Sequence, residues 1–249
     1  IDVACAINKR LPICVVSTGP KLMPLAIPGL LARHIPRGLG NKEIVAAEPF
    51  REATRGVVSA IVHIANQMAW NVERIAVDAP AAPPGSGSRA SENELGRLGL
   101  SSFRTPAVPN WKTIREKCAD HLSCGGSVAT LPHANKIWML FGFELFARLR
   151  SELGAEVIEV YPFAIIRKLL PACAHKTTET GYRDQLAAVA ARTGWEAREL
   201  EAALKRTVPG TRHDRLDAFM AAWIASLPPE QRRAHGDPTN DNDAIWVPR

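Results

Sequence analysis

Apolar positions along the chain change their period several times, and each change marks an element. Residues 1–6 (IDVACA) and 11–18 (LPICVVST) are apolar and β-compatible, with Asn8-Lys9-Arg10 as a turn between them. A connection this short predicts an antiparallel pair. A weaker third strand is expected within residues 21–27, where Pro24 interrupts the pattern. From Pro49 to Asn71 the period lengthens, and Val57, Val58, Ile61, Ile64, Ala65 and Met68 fall on one helical face. RIAVD (74–78) returns to a short strand that Ala79-Pro80 stops.

Residues 79–112 are dense in Pro, Gly and Ser and predict a long loop or lobe, with the whole insertion running to about residue 133. A helix is expected from Ala134 to Leu153, ended by Gly154, followed by the strand EVIEVY (156–161), which Pro162 stops. Further helices are expected over 182–193 and 196–206, and a last one from Asp214 to Leu227 before Pro228-Pro229. The tail reads as irregular apart from Ile245-Trp246-Val247. This order predicts one α/β domain over residues 1–249, built on a mixed sheet with helices packed against it.

With 249 residues the chain is long enough for a real core, and its 46% apolar content is that of an ordinary globular protein. No stretch has the uninterrupted apolar length of a membrane helix, so no membrane partner is expected. The formal charge of +6 permits a polyanion partner without demanding one, and the basic residues are spread rather than gathered in a tail. Five cysteines, an odd and sparse set, point to a reducing compartment and hence the cytoplasm. Cys118, His121 and Cys124 have the spacing of half a zinc site, with His133, Cys173 and His175 later. No clean second pair follows, and ordinary buried thiols are the favoured reading.

Four carboxylates do not fit their surroundings. Asp2 lies in an apolar strand, and Asp78 ends one, where α/β sheets place ligands. Asp78 also suits an Asx turn before Pro80. Asp214 and Asp217 are three apart and share a helix face. Asp214 reads equally as an N-cap. Asp217 has Met220, Ala221 and Ile224 as helical neighbours, which predicts an inward-facing acid. If the first strand and the Asp78 strand are adjacent and the last helix crosses them, all four acids meet. Hard oxygen ligands would then select Mg²⁺ or Mn²⁺. Two such ions, about 4 Å apart, suit phosphodiester hydrolysis.

The strings IDVA (1–4), VDAP (77–80), SRASENELGRLG (88–99), EVYP (159–162), KTTETGYRDQL (176–186), DRLDAF (214–219) and IWVP (245–248) occur in an order that resembles the RNase H-like superfamily. The arrangement of acids is similar to that of Holliday-junction resolvases. More narrowly it resembles the uncharacterised bacterial and archaeal family described as predicted RNase H-like nucleases. That resemblance implies a five-stranded sheet, three antiparallel strands then two parallel ones. It implies catalytic metal ligands at Asp2, Asp78, Asp214 and Asp217 and a DNA or RNA substrate. It places Glu159, Tyr161 and Lys176 along the cleft, with Arg89 and Arg97 as clamps on the nucleic-acid backbone. Actin-like ATPases and sugar kinases also begin on a strand aspartate, but they need a Gly- and Ser/Thr-rich phosphate loop where Ala4-Cys5-Ala6 stands here. The other alternative is a non-catalytic nucleic-acid or protein-binding module whose acids are structural caps. Convergence of Asp2, Asp78 and Asp217 with no Lys or Arg neutralising them would favour the enzyme, and Arg215 or Arg212 filling the gap as a salt bridge would favour that alternative.

Overall fold

In the computed structural model, residues 1–3, 10–40, 45, 48–100, 104–240 and 242–249 are described. They form nine α-helices and six strands. Strands β1 (Val15–Ser17) and β2 (Met23–Leu25) pair antiparallel as a small separate sheet. After α1 (Gly29–Ala32) and the long α2 (Glu48–Met68) comes β3 (Arg74–Val77). The segment beyond it carries α3 (Ala90–Arg97) and α4 (Val108–Ser123). Helix α5 (Ala134–Glu152) leads to β4 (Glu156–Val160). Then follow α6 (Pro162–Leu169), α7 (Glu179–Thr193), α8 (Ala197–Thr207) and α9 (Arg212–Ser226). Strands β5 (Arg232–Gly236) and β6 (Ala244–Pro248) close the chain.

The main sheet has the order β3-β4-β6-β5, with β3, β4 and β6 parallel and β5 antiparallel at the edge. Residues 1–3 extend it on the far side of β3. Asp2 and Asp78 face each other in a parallel bridge, and the Asp78 amide donates to the Ile1 carbonyl at 2.9 Å. The Asp2 amide donates to the Pro12 carbonyl at 3.0 Å, which ties this segment to the start of the chain's second run.

Strand alternation sorts side chains into two apolar layers. Ile1, Val3, Ile75, Val77 and Val157 join one cluster, covered by α2 and α5 through residues such as Val58, Ile64, Phe141 and Phe146. Ala76, Ile158, Val160, Ile245 and Val247 join the other, covered by helices α6 to α9. Asp2 sits between Ile1 and Val3, and Asp78 lies two residues beyond Ala76. The pleat therefore turns both acids toward the layer that holds α9, which packs across β3. At the same strand end Gly142 lets α5 approach closely: a Cβ there would lie 2.7 Å from the Ala79 methyl.

Two expectations need correction. The main sheet has four strands among the described residues, not five, and its order is two parallel steps with an antiparallel edge rather than three antiparallel strands first. Half of the expected first strand, residues 4–6, lies outside the described residues, and the β1–β2 pair stands apart. At the other edge β5 is an addition: its sequence, RRAHG, has no apolar alternation to announce it, and β6 supplies its hydrogen bonds. The segment 79–133, expected as a loop or lobe outside the core, is more than a loop. It carries α3 and α4, and Leu95, Trp111, Ile114, Cys118 and Leu131 are buried. Pro109 in the first turn of α4 starts a helix where proline density suggested a break. No helix of the described residues is long and apolar enough to cross a membrane.

Candidate functional site

Three distant segments deliver the acids to one place. Asp2 comes from the bridged segment beside β3, Asp78 from the end of β3, and Asp217 from the inner face of α9. Asp2 and Asp217 are only 8% and 4% exposed. Helix α9 begins two residues earlier than the pattern predicts, at Arg212, with Thr211 as its N-cap. Asp214 is therefore the third residue of a capping box and not the cap. Its Oδ2 accepts from the Thr211 amide at 2.8 Å, while the Thr211 hydroxyl accepts from the Asp214 amide.

Burial and neighbouring charge raise the proton affinity of Asp2, Asp78 and Asp217. Burial and then the neighbouring charges of Asp78, Asp217 and Asp214 hold the Asp2 carboxyl well above the usual carboxylate range. Burial first, and Asp217 next, push Asp78 up to about 7. Asp217 is raised too, chiefly by burial, with Lys176 opposing. The Lys176 ammonium donates to Asp217 Oδ2. Burial alone would depress this lysine, but Asp217, then Asp78 and Asp2, keep it above its ordinary value. Tyr161 borders the same group: burial, followed by the charge of Asp78, pushes its hydroxyl up to about 12.

The loop that brings Lys176 in is held by the first turn of α7. Thr178 caps that helix by accepting from the Gly181 amide at 3.1 Å. Gly181 leaves room for the loop to pass, since a Cβ there would lie 2.3 Å from the His175 carbonyl oxygen and 2.6 Å from that of Ala174. A side chain at 181 would displace the segment that aims Lys176.

Other expected site residues stand elsewhere. Arg89 and Glu159 are buried, 2% and 4% exposed, and form a two-pronged pair at 2.8 and 2.6 Å. Glu159 also accepts from the Ala81 amide at 2.7 Å. Arg89 has Glu92 at 3.6 Å and Asp243 at 3.8 Å besides, and Asp243 in turn accepts from the amides of Ala90 and Ser91 at the start of α3. The pair thus fastens α3 to β4 and to the turn before β6. Arg97 is exposed on the last turn of α3. At the zinc-like spacing the Cys118 thiol donates to the Pro132 carbonyl, and the His121 ring contacts the Ser127 carbonyl at 2.9 Å.

Among the described residues, no group of three or more His, Cys, Asp or Glu side chains is arranged to hold a metal ion. The donor set at the cluster is nonetheless that of a hard divalent cation: acidic oxygens that repel one another, with the Lys176 ammonium against Asp217. Reading the sequence did not identify Lys176 as the partner of Asp217. The string KTTET holds no signal for a pairing across 41 residues, because only the fold supplies it.

One consequence concerns stability. The raised Asp78 pKa means that its contribution is fully present below the unfolded carboxylate value and is lost as pH rises through about 7. In EDTA at pH 8, Asp78→Asn should raise the unfolding midpoint by about 3 °C, the shift that about 1 kcal/mol gives in a domain of this size. The gain should shrink toward pH 4. A difference that stays constant with pH in a thermal scan would refute the assignment.

Sheet, helices and buried acids define an α/β protein that gathers carboxylates from distant segments at the end of a β-strand. The chain belongs to the family described as Protein of unknown function (DUF429), whose family model matches residues 41–240. Asp78, Lys176, Asp214 and Asp217 lie inside that span and Asp2 outside it. Searches of curated proteins and of solved structures gave no match.

Proposed function

We propose that this chain is a divalent-metal-dependent nuclease with an RNase H-like fold, which hydrolyses phosphodiester bonds of DNA or RNA at Asp2, Asp78, Asp214 and Asp217. The observation that carries the reading is the convergence of three buried or half-buried carboxylates, Asp2, Asp78 and Asp217, with the Lys176 ammonium paired to Asp217. Such a group is costly to assemble unless something cationic belongs there. Mg²⁺ or Mn²⁺ held by these acids would polarise the phosphodiester and activate a water molecule. Asp2 and Asp78, fixed by main-chain pairing, present their oxygens from a rigid edge, and Asp217 faces them from α9. Lys176 meets the charge of Asp217 and lies beside the entry of an anionic substrate. Tyr161 closes the group on the β4 side.

A second reading has an observation of its own. Lys176 fills the gap between the acids, and a neutralised cluster suits a non-catalytic nucleic-acid or protein-binding module. The two are separated by assaying labelled single-stranded, duplex, RNA–DNA hybrid and four-way-junction substrates with Mg²⁺ or Mn²⁺. EDTA and the Asp2→Asn protein serve as controls. Cleavage that both controls abolish supports the nuclease. No cleavage of any substrate, with binding unchanged in Asp2→Asn, leaves the binding module.

A further inference from the structure

On the far side of α9 from Asp217, helices α7, α8 and α9 enclose a concavity of about 370 Å³. Its lining includes Arg198, Lys205, Arg212 and Arg215, with Tyr182 at the base and Glu201 as the one carboxylate among the residues that line it. Four cations outnumber Glu201 and the Glu179 that pairs with Arg212, so the depression is net positive. Two of the arginines are held in place. Arg215 is anchored by its Nε, which donates to the Val208 carbonyl at 3.0 Å. The Arg212 guanidinium lies over the Tyr182 ring, 4.5 Å from its centre, and bonds to Glu179 at 2.5 Å. Glu201 is engaged by the Tyr182 hydroxyl. Arg198 and Lys205 are exposed on α8, seven residues and so about 10 Å apart along one face.

We infer that this concavity is a second, separate binding site, one that takes the phosphate backbone of a nucleic acid. The inference rests on the nuclease reading for its purpose and on its own residues for its chemistry. The row on α8 is longer than one phosphate group, so it suits successive phosphates of a strand better than a single anion. Helix α9 contributes both to this lining and to the acids. The Tyr182 ring meets the His213 ring edge-on at 5.5 Å, and His213 lies within the fields of Arg212, Lys176, Asp217 and Asp214. A strand anchored here leads toward the carboxylates. The site also supplies what the cleft lacks now that Arg89 is committed to Glu159.

The test measures binding rather than cleavage. A fluorescein-labelled 20-residue oligonucleotide is titrated in EDTA, so no metal and no catalysis enter. The double variant Arg198→Glu/Lys205→Glu should weaken binding at least tenfold and flatten the slope of log affinity against log salt by about 1.4, two contacts at about 0.7 each. Both residues are exposed, and circular dichroism confirms the fold. Lys205→Arg should bind as the native protein does. The control Lys112→Glu/Arg115→Glu, on the distant helix α4, should change affinity less than twofold. Unchanged affinity in the first variant, an equal loss in the control, or displacement by inorganic pyrophosphate without any oligonucleotide binding would overturn the inference. The outcomes also separate the two readings. Binding that depends on Arg198 and Lys205, with no cleavage under any metal, keeps this site and removes the nuclease. Metal-dependent cleavage with native affinity in the first variant does the reverse.

Discussion

Arg89→Ala should lower the unfolding midpoint by roughly 10 °C, the largest stability change expected from a single substitution in this chain. Arg89 and Glu159 are buried together, and removing the arginine leaves the carboxylate without its counter-charge. Breaking one partner of such a pair costs about 3–5 kcal/mol, and each kcal/mol moves the midpoint of a domain this size by about 2–4 °C. The sign of its pH dependence follows from Glu159. Burial already raises this carboxyl, and Arg89 is the main opposing influence. Without Arg89 it rises further, so the variant's deficit should grow as pH rises and narrow toward pH 4. Adding Glu159→Gln removes the orphaned charge and should recover most of the loss, since an amide oxygen still accepts from Ala81. Thermal scans of the three proteins at pH 4.5 and 8 decide it. A deficit that is equal at both pH values, or no recovery in the double variant, would show that Glu159 is not the buried charge at issue.

The same pair shows where the sequence was legible and where it was not. Helices with a clear apolar stripe, such as α2 and α5, were readable because burial of one face repeats every three or four residues. The strand around Ala76 and the inward position of Asp217 followed from the same periodicities. Arg89 did not. An arginine in a Pro- and Ser-rich stretch reads as solvent-exposed, and only the fold brings Glu159, 70 residues on, against it. Its expected role as a backbone clamp gives way to a fastening between α3 and β4. Edge strand β5 was missed for a related reason: its pairing comes from β6, not from an alternation of its own. In α4 the proline that reads as a breaker occupies the one helical turn that tolerates it. Asp2 and Asp217 stood out because each put a carboxylate among apolar positions, whereas Asp78 and Asp214 also read as a turn and a cap. Their meeting point depends on register, since Asp2 opposite Asp78 turns both to the α9 face, and a slip of one residue would turn either away.

Asp217→Asn should reduce phosphodiester cleavage by about a thousandfold while leaving the protein folded. A metal ligand at a reacting phosphate contributes several kcal/mol to the transition state, and each 1.36 kcal/mol is tenfold in rate. Stability should hold because the substitution removes a charge that burial disfavours. Lys176, whose side chain is 39% exposed, can turn to solvent when it loses its partner. The companion variant Lys176→Met sharpens the reading. If the ammonium only balances the acids until a cation arrives, its loss should lower the Mn²⁺ concentration needed for half-maximal cleavage and leave the saturated rate within a few-fold. If Lys176 instead completes a structural ion pair in a binding module, neither variant cleaves anything. Lys176→Met then lowers the unfolding midpoint by stranding Asp217 among Asp2 and Asp78. Metal titrations of the two variants, read alongside their thermal scans, therefore distinguish a cluster that waits for a cation from one that its own lysine has already satisfied.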